Sequence, residues 1–284
     1  MKTLSILFSM MLLFITASVL AQDFQGVATY KTQRKIDIKM DSTKMNDAMQ
    51  TKMMEMMKKQ FQKTYILTFN KTASLYKQEA ELDKPQVGGD GFNVIVSSDG
   101  SDILYKNVKD KNYVDQKETM GKKFLIKDSI TSIDWKLEAE TKYIGEYTCF
   151  KATYTKLVPK RNFDFSSNSN KKDEAEEEEK EPEMTERTIT AWYTPQIPIS
   201  NGPAKYQGLP GLILEIHDGK LTIVCSQIII NPESKVEIEE PTKGKEVSQV
   251  EYDEIMDKKA KEMMERYAPR KGSNGESISI TIGG

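Results

Sequence analysis

Few residues of this sequence combine a type and a spacing that could do chemistry. Met45, Met49, Met53, Met56 and Met57 recur at helical spacing in a stretch without Gly or Pro. Thioether sulfur is soft and suits Cu(I), so metal binding is one reading of that stripe. Core packing is the ordinary reading, because Met fills irregular gaps and makes good helix. The same face would also suit an apolar ligand. His217 is the only histidine, so any Ser–His–Asp or Cys–His mechanism must run through it. It stands in Glu215-Ile216-His217-Asp218-Gly219, on one strand face with Glu215 and beside a hairpin signal. No nucleophile-elbow sequence accompanies it, and the expectation is a solvent-facing turn histidine. Cys149 and Cys225 both lie in strand-like patterns, and an exported chain could join them by a disulfide. If Phe150 marks the core face, however, the two sulfurs point to different faces and cannot meet.

What remains is mostly exclusion. Two Cys and one His cannot build a zinc cage or an iron–sulfur cluster. No Walker loop, dinucleotide fingerprint, calcium loop or zinc-protease motif occurs, and no carboxylate pair stands out among 43 acids. No cofactor is expected. Lys+Arg number 41, which leaves a net charge of −2 and no excess of base for nucleic acid.

The strongest local signal is the run Gly208, Leu209, Pro210, Gly211, Leu212 and Ile213. Pro210 fixes φ for the second position of a turn, and Gly211 supplies the positive φ that a type II turn needs next. The apolar residues then enter a buried strand. The reading is a rigid loop that aims the chain into a sheet.

That sheet is legible as a period of two. Trp135, Leu137, Ala139 and Thr141 alternate with Lys136, Glu138, Glu140 and Lys142. Similar short runs recur from Gly26 to Ile230, about ten strands in all, with gaps too short for helical crossovers. Two segments break the rhythm. Thr43 to Phe61 carries the methionine stripe as an amphipathic helix. Ser248-Gln249-Val250-Glu251 is a capping box that opens a second helix ending near Pro269. Residues 161–186 hold Ser, Asn and a Glu run, which reads as a disordered acidic insert between two strands. At the start, Lys2, the apolar stretch Leu4–Leu20 and Val19-Leu20-Ala21 make residues 1–21 a secretory signal peptide. Residues 22–284 then form a single exported β-rich domain, periplasmic or secreted, with no later stretch long enough to span a bilayer.

With those elements in place the hexamer acquires company. Ile133-Asp134-Trp135, the run Glu140–Thr153 (ETKYIGEYTCFKAT), Ala191-Trp192-Tyr193-Thr194 and Gly202-Pro203 accompany it, and together they resemble the GLPGLI family of exported bacterial proteins. That resemblance implies no biochemical activity. The strand pair around Tyr143–Ala152 is also similar to LolA-type lipoprotein carriers, which implies a curved antiparallel sheet around helices. The expected architecture is mainly β (α+β): a curved antiparallel sheet or incomplete barrel with two amphipathic helices. The expected function is a non-enzymatic cell-envelope protein that binds an apolar ligand or an outer-membrane-associated partner. Copper handling through the methionine helix is the alternative and a hydrolase the third reading. A binder should show an apolar cleft, an enzyme a convergence of polar side chains.

Overall fold

The computed structural model describes residues 24–35, 51, 55, 62–79, 102–159 and 184–267. Twelve strands form one open sheet in the order β12-β6-β5-β4-β3-β2-β1-β11-β10-β9-β8-β7. They are β1 (Gln25–Arg34), β2 (Lys63–Asn70), β3 (Ala73–Gln78), β4 (Ile103–Asn107), β5 (Asn112–Thr119) and β6 (Lys122–Ser129). The second half holds β7 (Lys136–Ile144), β8 (Tyr147–Pro159), β9 (Met184–Thr194), β10 (Leu212–Asp218), β11 (Leu221–Ile230) and β12 (Lys245–Val247). Among the described residues one helix follows, α1 (Gln249–Tyr267).

Every pairing is antiparallel except the edge contact of β12, which runs parallel to β6. The sequence pointed to about ten strands and two helices; β12 was not foreseen, because three residues are too few for a period to show. Of the expected first helix only Thr51 and Glu55 are described, and both are exposed. The signal peptide lies outside the described residues, as does most of the expected acidic insert. Its last three positions are a correction: residues 184–186 belong to β9, where Met184 pairs Pro159, Thr185 pairs Val158 and Glu186 pairs Leu157.

The sheet curls. β5 and β8 stand eight steps apart in the strand order, about 38 Å in a flat sheet. Yet Tyr113 of β5 and Tyr154 of β8 line one cavity. Irregular pairing places one extra residue in the ladders at Thr29/Tyr30 and Ile213/Glu215 and two at Leu137/Thr141, and such bulges bend a strand and increase its twist. Alternation then fills the concave side. Ala28 and Tyr30 of β1, Leu67 and Phe69 of β2, and Ile189 and Ala191 of β9 are all buried there.

α1 packs against β6, and Gln249 and Val250 at its start border the cavity. Its first turn carries the capping box foreseen in the sequence: the Ser248 backbone N–H donates to Glu251 Oε2 (2.7 Å) and the Glu251 N–H donates to Ser248 Oγ (3.2 Å). Tyr252, one turn later, packs edge-on against Phe124 of β6 with ring centres 5.5 Å apart. Its hydroxyl hydrogen-bonds Thr119 Oγ1 at 2.8 Å. The cap thus fixes where the helix meets the sheet. Ser248→Ala should cost about 1 kcal/mol of stability, read as a lower urea midpoint; an unchanged midpoint would mean that the cap holds nothing in place.

Candidate functional site

Residues 195–211, between β9 and β10, are half sunk into the sheet: Pro195, Gln196, Pro198, Ser200, Lys205, Gly208 and Pro210 stay exposed, and the residues between them turn inward. They cross the bowl. Ile197, Ile199, Asn201 and Leu209 are buried. The chain stays hydrogen-bonded to the start of β10, where Leu212 N–H donates to Ile197 O (3.0 Å) and Ile213 N–H to Asn201 O (3.0 Å). A buried loop carries backbone carbonyls that must find donors. Lys106 of β4 supplies three of them. It is 2% exposed, and its Nζ donates to Gly202 O (2.9 Å), Ala204 O (2.8 Å) and Tyr206 O (3.3 Å). β4 and β10 are five steps apart in the strand order, so this ammonium ties the strap to the far side of the sheet.

Further ties follow along the same strap. Lys205 Nζ donates to Gln249 Oε1 (2.7 Å) at the start of α1 and to the Tyr113 hydroxyl (3.3 Å). Tyr206 donates its hydroxyl proton to Asp218 Oδ2 (2.7 Å), which also accepts from Lys156 Nζ (2.9 Å). Gln207 Nε2 donates to Thr131 O (3.1 Å), and Trp135 Nε1 donates to Gln207 O (2.9 Å).

The hexamer forms the end of this strap. Leu209, Leu212 and Ile213 are core residues. The turn differs from the expected type II. Gly211 N–H donates to Leu209 O (2.8 Å), so the chain folds tightly across Pro210. Gly211 has φ = 156°, and a Cβ built on it would lie 2.2 Å from Thr194 O. Glycine is required here by the approach of two backbones more than by turn type.

Beneath the strap lies a cavity of about 950 Å³. Tyr65, Tyr76, Tyr113, Tyr154 and Tyr206 give it an aromatic wall, and Leu104, Leu221 and Ile223 add aliphatic surface. Six cationic side chains line it (Arg34, Lys63, Lys106, Lys117, Lys156, Lys205) against three acids (Asp102, Asp115, Asp128). The cleft is therefore amphipathic, not apolar as a simple binder would have it. Most of these charges are held by the protein itself. Asp115 faces Lys117 at 3.5 Å and Lys205 at 3.8 Å. Burial raises its carboxyl pKa in spite of those lysines. Burial likewise lowers Lys205 and pushes the Lys106 ammonium down to about 7. For Asp218 burial pulls upward, but the bonds from Tyr206 and Lys156 outweigh it and hold the carboxyl below its ordinary value.

The other candidates lie elsewhere. His217 sits on the opposite, convex side of β10, half-exposed, hydrogen-bonded to Glu215 and to Thr222 Oγ1 (3.2 Å). Lys142 reaches the same Glu215 at 2.7 Å and lies over the Trp192 ring, 4.4 Å from its centre. This is a strand-borne polar cluster rather than a turn residue facing solvent alone. It lines no part of the cavity. Cys149 and Cys225 are free, buried thiols. Burial raises them to about 11 and about 12, the state of inert core cysteines. Met45, Met49, Met53, Met56 and Met57 lie outside the described residues. Among the described residues no group of His, Cys, Asp and Glu could hold a metal ion. Sequence reasoning singles out neither Lys106 nor Arg34, nor Tyr65, Tyr76, Tyr113 and Tyr154. Of the lining tyrosines only Tyr206, beside the hexamer, is marked, as part of a candidate contact surface. Only the parity of Lys106 with buried Leu104 on β4 marked that lysine as facing inward.

Residues 135–215 match the model of a family described as "Protein of unknown function (Porph_ging)". The matched stretch runs from Trp135 through the strap into β10. Among solved structures, PNGF-II in its P21 crystal form is similar with a TM-score of 0.47 and 14% identity, over 84% of this chain and 34% of that one. Its C2 form gives a TM-score of 0.45 and 14% identity, over 82% and 33%. The chain thus spans about a third of the length of those structures. Comparison with curated proteins gave no match. The GLPGLI designation and the LolA-type likeness are not carried by any of these matches.

Two outcomes follow from the strap. Gly211→Val forces a side chain into the Thr194 backbone and should cost upwards of about 3 kcal/mol; a variant as stable as the parent in urea would show that the two backbones can separate. Lys106→Met leaves three carbonyls without a donor and should cost about 3 kcal/mol. Its pH dependence has a definite sign. The folded lysine releases its proton near pH 7 and the unfolded one near 10.5. Within that window the unfolded chain binds more protons, so the lysine's contribution to stability rises with pH. The gap between parent and Lys106→Met should widen by about 1 kcal/mol per pH unit above neutrality and stay flat below it. Urea titrations at a series of pH values read this directly; a gap that narrows with rising pH contradicts it.

Proposed function

We propose that the protein is an exported, non-enzymatic binding protein of the cell envelope whose ligand sits in the bowl beneath the strap. The observation that carries this reading is the cavity: its volume of about 950 Å³ is at the upper end of the range for small-molecule sites. Its walls are aromatic and aliphatic with a few charges, the mixture that fixes a ligand's orientation while burying its body. Catalysis by a positioned nucleophile has less support. The only imidazole stands on the convex face, and both thiols are held protonated by burial. Asp115 and Asp128 are committed to lysines and to the backbone N–H of Gln249. The expected apolar ligand becomes, on this reading, one with an apolar body and polar attachments.

Native mass spectrometry of the protein purified from its own envelope tests this. The expected spectrum shows one organic molecule per chain that is lost when the chain is unfolded. A copper adduct in its place would favour the methionine segment, and a chain carrying nothing would count against a resident ligand.

A further inference from the structure

The wall of the cavity built by β1, β2 and β3 differs from the rest. Arg34 ends β1, half-buried, and makes no hydrogen bond or ion pair among the described residues. Lys63 begins β2 beside Thr32 of β1 in the ladder. Tyr65 and Tyr76 stack in parallel, their ring centres 4.8 Å apart and their planes 2° from parallel. Tyr76 is 6% exposed, and its hydroxyl has no hydrogen-bond partner among the described residues. It is also absent from the fully enclosed unpaired atoms, which are Ser74 Oγ and Asn201 Nδ2, so what surface it keeps opens on the cavity. A phenol this deeply buried ordinarily finds an acceptor. The guanidinium, for its part, offers a planar fork suited to carboxylate, sulfonate or phosphate oxygens. Asp102, whose charge reaches Tyr65, is the acid on this side. Leu221 and Ile223 of β11 stand opposite Arg34 and Thr32 in the ladder, which sets aliphatic surface directly beside the donors.

Resting on the binding reading above, we propose that the ligand is an amphiphile with an anionic oxygen group, taken up by Arg34, and a flat apolar body against the tyrosines and β11. The Arg34 guanidinium is a cationic donor with no side-chain acceptor among the described residues, so it selects an anion over a neutral or cationic head. The stacked tyrosine pair and its aliphatic neighbours select a body that a free anion lacks. Both halves are needed.

The test uses 8-anilinonaphthalene-1-sulfonate and its uncharged counterpart N-phenyl-1-naphthylamine, which share one aromatic body and fluoresce when that body is buried. Titrated into the folded protein, the sulfonate should bind about tenfold or more tightly than the amine, as a charge-assisted hydrogen bond implies. Arg34→Met should bring the sulfonate down towards the level of the amine while the urea midpoint holds. Arg34→Gln, which keeps a polar end but removes the charge, serves the same purpose should the first variant lose stability. Equal affinity of the two probes, or a sulfonate affinity indifferent to both substitutions, overturns the anionic ligand and leaves the cavity reading standing. Displacement of the sulfonate probe by millimolar inorganic sulfate overturns the amphiphile in favour of a plain anion site. Failure of both probes to bind sinks the cavity reading together with the inference.

Discussion

One ammonium holds this fold in its shape. Lys106 projects from β4 into the bowl and meets three carbonyls, those of Gly202, Ala204 and Tyr206. Taking a charge out of water is costly, and the depressed pKa of the lysine records that cost. What offsets it is the alternative. Without this donor the carbonyl of buried Gly202 would be left unbonded, at about 1–3 kcal/mol, and those of Ala204 and Tyr206 would lose their partner at the cavity wall. An ammonium offers three N–H bonds from a single point, which matches carbonyls converging from one turn of chain. Among neutral side chains, a hydroxyl or amide could satisfy fewer of them.

The curl and the strap sustain each other. A sheet of twelve strands does not stay open and strongly curved by backbone preference alone; it needs contents. The strap supplies them with Ile197, Ile199 and Leu209. Its polar residues then reach both walls: Lys205 to Tyr113 and α1, Tyr206 to Asp218, Gln207 to the segment before β7. The cavity is the space that this bracing leaves over. It is lined by strands remote in sequence because the bracing brings them together.

This explains which parts were legible in the sequence. Most strands announce themselves by a period of two. β10, however, is buried on both faces from Leu212 to Ile216, and edge strand β7 exposes Leu137, Ala139 and Thr141, the residues whose alternation pointed to a dry face. The capping box names the start of α1 correctly. The hexamer was read as a rigid loop entering a strand, and Leu209, Leu212 and Ile213 are buried accordingly. Its turn was misread because the sequence shows Pro-Gly but not Thr194, whose backbone comes close enough to exclude a Cβ at Gly211. The cavity was not legible. Arg34, Tyr76, Lys106 and Tyr206 follow no common spacing, and a lysine within an alternating strand reads as a solvated residue unless its face is known. β12 was hidden for a simpler reason, being a three-residue edge strand that depends on β6 for its pairing.

A division of labour within the strap follows from these contacts. Leu209, Gly211, Leu212 and Ile213 are buried while Gly208 and Pro210 are exposed, and none of the six lines the cavity, whereas Ala204, Lys205, Tyr206 and Gln207 form part of its lining. The conspicuous motif thus anchors the strap, and the unremarkable residues before it line the cavity. Because Gly208, with φ = 95°, joins the two parts under the Trp135 ring, the position of the lining is set by the anchoring of the motif. Damage to the hexamer would reach a ligand through displacement of Tyr206 and Lys205, without contact. The same bond from Lys106 to the carbonyls of 202, 204 and 206 passes through the lining segment itself. The cavity face of the strap is therefore held by the same lysine that ties the strap to β4, and the cavity owes its shape to that tie.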